Sequence, residues 1–233
     1  MDTLKNVTLE DIQASFSLLR EMKKTFATRG WFPATSGNLS IRIKPGLEIF
    51  AITSSGKDKS MDTPEDFLII DVQGKPLTTT ALKPSAETLI HTAVYESIPD
   101  CEAVFHVHTV PNNLISELYG DEGEVIFKGQ ELIKAFDLWE QDASISIPIV
   151  ENFADIPKLA AEIKKSLKFE VPGVLIRNHG IYVWGDSDFS AKRHLEAFEF
   201  LFDYHIRLLS IQRKVMVPSR KTGQKKSIDK GIV

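Results

Sequence analysis

The stretch Ala103-Val104-Phe105-His106-Val107-His108 combines a short apolar run with two histidines one residue apart. Its length and its β-branched and aromatic residues predict a buried strand. Side chains alternate along a strand, so His106 and His108 lie on the same face, close enough together to bind one ion. Two half-buried histidines with ordinary hydrogen-bond partners would give the same pattern. The pair by itself therefore leaves a structural role and a metal-binding role open.

Strands and helices are predicted on both sides of this stretch, mixed along the chain. Apolar runs predict strands at residues 39–43, 47–53, 67–72, 144–150, 173–176 and 181–184. Helical spacing predicts helices over residues 8–29, 85–97, 111–118, 156–167 and 188–214. Several consecutive strands are joined by linkers too short for a crossover helix, so much of the sheet is predicted to be antiparallel. The sequence therefore predicts a single α/β domain with a mixed sheet.

The composition is that of an ordinary globular domain. Of the 233 residues, 42% are hydrophobic and 26% are charged, and the net charge of -4 gives no indication of nucleic acid or an acidic membrane surface as a partner. We expect the globular domain to span residues 1–215 and a basic, unpatterned tail to follow over residues 216–233. Cys101 is the only cysteine, and the first residues lack the features of a signal peptide, so we expect a cytoplasmic protein.

A third histidine strengthens the case for a metal site. His179 lies in Arg177-Asn178-His179-Gly180, a predicted tight turn between two apolar strands, and such turns are where binding residues concentrate. Three histidines with an open fourth position are a common arrangement for catalytic zinc. A turn residue without a ligand role would also account for His179.

Two glutamates stand near predicted helix starts. Glu87 follows Ser85, the expected N-cap of the 85–97 helix, and shares a helical face with His91, to which it could hydrogen-bond. Glu131 opens another predicted helix. A carboxylate in the first turn of a helix is favoured by the helix dipole, so each glutamate also has a purely structural explanation.

Three short stretches have the composition of anion-binding turns. They are Thr35-Ser36-Gly37-Asn38, Thr53-Ser54-Ser55-Gly56-Lys57 and Lys83-Pro84-Ser85, the last of which opens a predicted helix. Hydroxylated turns that contain glycine can direct several backbone N–H groups at one anion, and so can the start of a helix. Each stretch alone is also compatible with a simple turn.

Together and in this order, these stretches resemble the class II aldolase/adducin family. The resemblance extends from the first helix to about residue 210, and it is carried by Gly30-Trp31, Thr35-Ser36-Gly37-Asn38-Leu39-Ser40, Ile52-Thr53-Ser54-Ser55-Gly56, Lys83-Pro84-Ser85-Ala86-Glu87, His106-Val107-His108 and Asn178-His179-Gly180. Within the family, residues 129–134, 147–152, 179–185 and 231–233 look most like those of the members that dehydrate a methylthio-substituted ketose 1-phosphate.

The resemblance implies a fold, a metal and a set of site residues. The implied fold is an α/β/α sandwich around a largely antiparallel sheet, assembled as a homotetramer with its sites near subunit interfaces. The implied cofactor is one zinc ion per subunit, bound by His106, His108 and His179. The implied substrate is a small sugar phosphate, whose phosphate group would be surrounded by Asn38, Ser55, Gly56 and Ser85. Ala86 departs from the sugar-phosphate aldolases, which often have a second serine there.

The acid/base residue depends on which branch of the family applies. Glu131 falls where the dehydratases have theirs, and Glu87 falls where the aldolases have theirs. Dehydration with Glu131 is our first hypothesis, because of the stretches at residues 129–134 and 147–152. Carbon–carbon cleavage by a zinc aldolase with Glu87 is the second. A non-catalytic, adducin-like binding protein is the third, although it would have no use for three metal-binding histidines.

Overall fold

The computed structural model describes residue 4 and residues 6–216, with side chains described as far as residue 212. The described chain forms one eight-stranded sheet with helices on both faces. The basic tail predicted over residues 216–233 lies outside the described residues, except for Met216. The predicted limits of the domain therefore stay a prediction.

The sheet has the strand order β3-β2-β1-β4-β8-β7-β6-β5. The strands are β1 (Asn38–Arg42), β2 (Ile49–Thr53), β3 (Phe67–Asp71), β4 (Ala103–Val107), β5 (Glu124–Lys128), β6 (Ser144–Val150), β7 (Gly173–Ile176) and β8 (Gly180–Gly185). Neighbouring strands are antiparallel at every position except β6–β7, where a crossover helix joins two parallel strands. This confirms the prediction of a mixed, largely antiparallel sheet.

In the described part of the chain, five α-helices cover the two faces of the sheet. They are α1 (Leu9–Thr28), α2 (Thr88–Ser97), α3 (Val110–Leu118), α4 (Ile156–Ser166) and α5 (Asp188–Met216), and short 3-10 turns span Pro33–Thr35 and Glu131–Phe136. Helices α1, α3 and α5 share one hydrophobic core with the sheet, and α2 and α4 share another on the opposite face. The molecule is thus the predicted α/β/α sandwich.

Helix α1 shows how closely local signals can define an element. The Thr8 hydroxyl accepts a hydrogen bond from the Asp11 backbone, and the Asp11 carboxylate accepts one from the Thr8 backbone, which completes a capping box. At the other end Gly30 adopts a φ of +72°, a left-handed conformation that stops the helix. The predicted boundaries of 8–29 were therefore correct to within one residue.

Helix α2 and strand β5 differ from the prediction. Helix α2 begins at Thr88 with Glu87 as its N-cap, rather than at Ser85, because Ser85 to Glu87 form a turn in which the Thr88 N–H bonds to the Ser85 carbonyl. Strand β5 was not predicted. It is an edge strand in which Val125 and Phe127 alternate with polar or exposed neighbours over only five residues.

No helix in the described part of the chain has the length and apolar character needed to cross a membrane.

Candidate metal centre and substrate cavities

Three histidines converge where the central strands end. His106 is in β4, His108 follows that strand, and His179 lies in the turn between β7 and β8. Strands β4 and β8 are antiparallel neighbours, with His106 opposite Tyr182, and this pairing brings the β7–β8 turn to the end of β4. One ring nitrogen from each histidine lies within 4.8 Å of the other two. The three histidines that the sequence indicated as candidate ligands therefore lie close together in the structure.

The ring of His106 is held in one orientation. Its Nδ1 donates a hydrogen bond to the Ile181 carbonyl at 2.9 Å, and the ring stacks on Tyr182 with 4.0 Å between centroids. With the Nδ1 proton placed there, Nε2 carries the free lone pair and faces Nε2 of His108 at 2.8 Å. A backbone carbonyl thus fixes the tautomer that leaves Nε2 available as a ligand.

Glu87 lies beside two of the three histidines. Its carboxylate oxygens lie 3.4 Å from Nε2 of His106 and 3.1 Å from Nε2 of His179. The Asn38 side chain donates to the carboxylate at 2.7 Å. Burial alone would raise the pKa of Glu87, but the surrounding histidines and the Asn38 hydrogen bond outweigh that effect and hold the pKa below its usual range. Glu87 is therefore ionised at neutral pH.

The hydrogen bond suggested between Glu87 and His91 is not formed. Nε2 of His91 instead contacts the side-chain oxygen Oδ1 of Asn38, and Nδ1 of His91 contacts the Ser40 hydroxyl at 2.7 Å. Asn38 thus lies between the two groups, bonding to the carboxylate with its amide nitrogen and to the imidazole with its oxygen. The asparagine that was predicted to contact phosphate also orients Glu87.

Burial favours the neutral form of two of the three histidines, His106 and His108. Desolvation lowers the pKa of His106 to about 4 and that of His108 to about 2, and in both cases the neighbouring histidines lower the pKa further. Neutral imidazole is the form that coordinates metal ions. At neutral pH these two rings are therefore ready to bind a cation without first losing a proton.

The cluster fits a zinc-type ion. Zinc–nitrogen bonds of about 2.0–2.1 Å in a tetrahedral site place the ligand nitrogens about 3.3 Å apart, so the 2.8 Å between His106 and His108 needs only a small adjustment. Nδ1 of His179 is buried and has no hydrogen-bond partner within the described chain, so this ring has a free coordinating atom. The ionised carboxylate of Glu87 would further favour a cation.

The predicted phosphate-binding residues line one cavity of about 300 Å³, which we call the cradle cavity. Asn38, Ser55, Gly56 and Ser85 all contribute to its wall, and so do Glu87, His108 and His179. Gly56 has a φ of +71° and nothing within 4 Å of the position where a side chain would begin. The cavity is therefore open at the glycine and continuous with the histidine cluster.

A second cavity, of about 530 Å³, adjoins the cradle cavity at the histidines. His108 and His179 border both cavities. Pro33, Val110 and Leu114 give the second cavity an apolar part, and Asn113 and Asn152 give it polar groups. An extended ligand could therefore have an anionic end in the cradle cavity and an apolar end here, with its middle at the histidines.

Glu131 is not near the histidines within one chain. Strand β5 is antiparallel to β6, and β6 is parallel to β7, so the end of β5 that leads to Glu131 lies at the opposite end of the sheet from His179. The Glu131 side chain is 77% exposed and pairs with Lys134 at 2.8 Å. It lines a separate cavity of about 340 Å³ beside Trp139. Of the two predicted acid/base residues, a single chain brings only Glu87 to the centre.

Ser36 and Lys59 both line the cradle cavity, and neither was assigned a binding role from the sequence. Ser36 belongs to the stretch Thr35-Ser36-Gly37-Asn38, which has the composition of an anion-binding turn. That composition was the available sequence signal for Ser36. Lys59 lies three residues beyond Gly56 in a polar loop, where a lysine is ordinarily solvated. No sequence signal distinguished it.

Comparison with known proteins gives consistent matches over most of the chain. The model of the Class II Aldolase and Adducin N-terminal domain family matches residues 17–206. A methylthioribulose-1-phosphate dehydratase from Geobacillus sp. (strain WCH70) is 53% identical over 200 residues, which cover 86% of this chain and 93% of that protein. The enzyme of the same name from Persephonella marina is 53% identical over 195 residues, which cover 84% and 90%. Among solved structures, YgbL from Escherichia coli matches with a TM-score of 0.69 and 25% identity, covering 82% of this chain and 88% of that one.

Proposed function

The chain belongs to the class II aldolase and adducin family, and from that premise we propose that it is an enzyme that removes water from 5-methylthioribulose 1-phosphate. The observation that carries the proposal is the identity of 53% to dehydratases of that name over most of both chains. The histidine centre between two cavities supports it, because one cavity suits a phosphate group and the other has an apolar part. The product would be 2,3-diketo-5-methylthiopentyl 1-phosphate, an intermediate of methionine salvage.

We propose zinc as the metal, bound by His106, His108 and His179. A zinc ion there would supply a Lewis acid that polarises a carbonyl oxygen. The three rings present one nitrogen atom each to a common point, from strand β4, from the residue that follows it and from the β7–β8 turn, which suits an ion of this type. We also propose that the enzyme is cytoplasmic and homotetrameric.

The chain's own residues bind and orient the substrate. The cradle cavity would take the phosphate group through Asn38, Ser55, Gly56 and Ser85. The carbonyl and hydroxyl carbons would then lie at the histidines, and the methylthio end would extend toward Val110 and Leu114. Glu87 stays ionised next to the histidines and would balance positive charge there.

Dehydration requires the proton at C3 and the hydroxyl group at C4 to leave. Together they form water, and the remaining enol becomes the 2,3-diketone. A carboxylate within hydrogen-bond reach has to carry that proton, and we propose Glu131 for this role. Because Glu131 lies at the opposite end of the sheet within its own chain, it would have to come from a neighbouring subunit.

An aldolase is the second candidate, and a specific observation favours it. Glu87 lies 3.1–3.4 Å from two of the histidines within the same chain, where a base could act on the same substrate carbons. Such an enzyme would break a carbon–carbon bond and release dihydroxyacetone phosphate and an aldehyde.

The mass of the product distinguishes the two reactions. Zinc-loaded protein would be incubated with 5-methylthioribulose 1-phosphate, and the His106→Ala variant would serve as the control without a complete metal site. A product lighter than the substrate by one water is the expected result. Dihydroxyacetone phosphate and a methylthio aldehyde would instead establish the aldolase and assign the acid/base role to Glu87. Unchanged substrate, with zinc measured on the protein, would refute the proposed substrate.

A further inference from the structure

Lys59 is a buried lysine in the wall of the cradle cavity. It is 5% exposed, its Nζ donates to the Thr35 carbonyl at 3.0 Å, and the ammonium lies 5.9 Å from the centre of the Phe32 ring. An ion pair requires a carboxylate oxygen within 4.0 Å of Nζ, and among the described residues Lys59 has none. A buried ammonium group without an anionic partner is unfavourable, so its presence calls for an explanation.

Lys23 shows what a structurally neutralised lysine looks like in the same part of the molecule. Lys23 is 3% exposed, but its Nζ forms an ion pair with the buried carboxylate of Asp66 and donates to the Met61 carbonyl at 2.6 Å. The charge of Lys23 is therefore compensated within the fold. Lys59 makes direct contact only with a carbonyl oxygen and a ring face, and the carboxylate of Glu87 acts on it from a greater distance.

The surroundings of Lys59 match a phosphate monoester. Among the described residues that line the cradle cavity, Lys59 is the only lysine or arginine. Hydroxyl groups, glycines and the Asn38 amide make up most of the remaining wall, which meets Glu87, His108 and His179 on the side of the histidine cluster. The Ser36 hydroxyl in that wall is buried and has no hydrogen-bond partner within the described chain. A phosphate group accepts several hydrogen bonds and would give Lys59 an anionic partner in direct contact.

The contact between Lys59 and Thr35 also holds a strained loop. Ala34 and Thr35 have φ values of +52° and +64°, in the left-handed region that a β-branched residue such as threonine rarely adopts. Such conformations persist where the surrounding structure fixes them, and they concentrate at ligand sites. Lys59 therefore fixes the loop that leads to Ser36 and Asn38.

The titration behaviour of Lys59 agrees with this environment. Desolvation lowers the pKa of the ammonium group to about 8, and the nearby charge of Lys23 lowers it further, whereas Glu87 acts in the opposite direction. An anion placed against the group would restore its charge.

We propose that Lys59 supplies the positive charge that binds the phosphate group of the substrate in the cradle cavity. The inference rests on the proposed function, which makes a sugar phosphate the substrate. In this arrangement Asn38, Ser55, Gly56 and Ser85 are neutral hydrogen-bond donors, and Lys59 is the one cation among the described groups around the anion.

The test measures the binding of inorganic phosphate to metal-loaded protein by calorimetry. Lys59→Met keeps the length of the side chain and removes its charge. Lys57→Met, two residues away, removes a lysine that pairs with Glu65 at the surface and serves as the matched control. We expect the phosphate dissociation constant to rise at least tenfold in Lys59→Met and to stay within twofold of the wild type in Lys57→Met.

Thermal unfolding provides a second measurement. Phosphate should raise the midpoint of the wild type and of Lys57→Met but not that of Lys59→Met, because a ligand stabilises only a protein that binds it. If Lys59→Met does not fold, Lys59→Gln, which keeps a donor for Thr35, is compared in the same way. A Lys59 variant that binds phosphate as tightly as the wild type would overturn the proposal, as would a wild type that phosphate does not stabilise.

These measurements do not depend on turnover. A protein that binds phosphate through Lys59 but leaves 5-methylthioribulose 1-phosphate unchanged would support the inference and refute the proposed substrate. If the wild type dehydrates the substrate but Lys59→Met binds phosphate normally, the proposed function is supported and the inference about Lys59 is refuted.

Discussion

Gly37 allows the loop before β1 to pass directly against the strand that carries the histidines. Its φ is +74°, and a side chain there would begin 2.7 Å from the His106 carbonyl oxygen and 2.6 Å from the ring of Phe32. The positive φ favours glycine because glycine adopts left-handed backbone conformations freely. The close contacts leave no room for the Cβ atom of any other residue. The close approach places Asn38 within reach of Glu87.

We expect Gly37→Ala to destabilise the protein far more than Gly46→Ala. Gly46 has nearly the same φ of +72° but nothing within 4 Å of the added carbon. Both variants therefore incur a similar backbone cost of about 1 kcal/mol, and Gly37→Ala adds overpacking of about 1–3 kcal/mol. Urea unfolding of the two variants measures the difference. Equal losses would show that the loop can move away from β4 at little cost.

Individual residues differ in how far the sequence predicts their roles. The three histidines lie together as predicted, because alternation along β4 and the turn at residue 179 are both local signals, and their role as metal ligands stays a prediction. The contact between Glu87 and His179 joins residues 92 positions apart in the chain, and only the family resemblance indicated that this glutamate belongs to the site. Lys59 was missed because its burial depends on Phe32 and Thr35, which lie on a separate loop.

Among the elements, helix α5 contacts the start of helix α3, which lies directly after the strand that carries His106. Glu199 of α5 accepts hydrogen bonds from the Thr109 hydroxyl at 2.6 Å and from the Asn112 amide at 2.9 Å. Thr109 is the N-cap of α3 and follows His108 in the chain. A buried carboxylate thus connects two helices next to the site.

This connection should make the stability of the protein depend on pH. Burial raises the pKa of Glu199 to about 7, although the hydrogen bonds from Thr109 and Asn112 lower it in part. Between the ordinary value of about 4.5 and pH 7, the folded state binds more protons than the unfolded state, so this group's contribution to stability falls as pH rises. Above pH 7, where Glu199 is ionised in the folded state, burying the carboxylate lowers the free energy of unfolding by up to about 3 kcal/mol.

Glu199→Gln should remove this dependence, because glutamine has the shape and neutrality of the protonated acid. The variant should be more stable than the wild type at pH 8 and nearly equal to it at pH 4.5. Denaturant unfolding of both proteins at the two pH values measures the effect. A stability difference that is the same at both pH values would contradict the assigned pKa.

Element boundaries were predicted well where the chain signals its own ends. Thr8 and Gly30 define α1 by local capping. Ser85 gave a misleading signal, because serine is favoured both in turns and at helix N-caps. Strand β5 was missed because a five-residue edge strand with charged ends has too little apolar alternation to stand out.

At the scale of the whole molecule, Glu131 and the three histidines lie at opposite ends of the sheet. This separation leads to a prediction about subunit assembly. If Glu131 acts on the centre of a neighbouring subunit, then Glu131→Gln and His106→Ala inactivate different parts of a shared site. Mixed oligomers of the two inactive variants should regain activity, up to about a quarter of the wild-type value per site for random assembly.

The measurement is the dehydration rate after the two variants have been unfolded and refolded together. Each variant refolded alone is the control and should remain inactive. No recovery in mixtures shown to contain both chains would mean that Glu131 does not act between subunits.

The central position of β4 governs when the site can form as the protein is made. Its neighbours in the sheet are β1, from the first fifth of the chain, and β8, which follows it by about 75 residues, as the bond between His106 and Ile181 shows. The third histidine is translated long after the first two, and contacts of such high sequence separation form late in folding. On the ribosome, a growing chain therefore has an incomplete ligand set until most of the domain has been synthesised. We expect metal capture to follow translation and to depend on the metal supply that the finished protein meets.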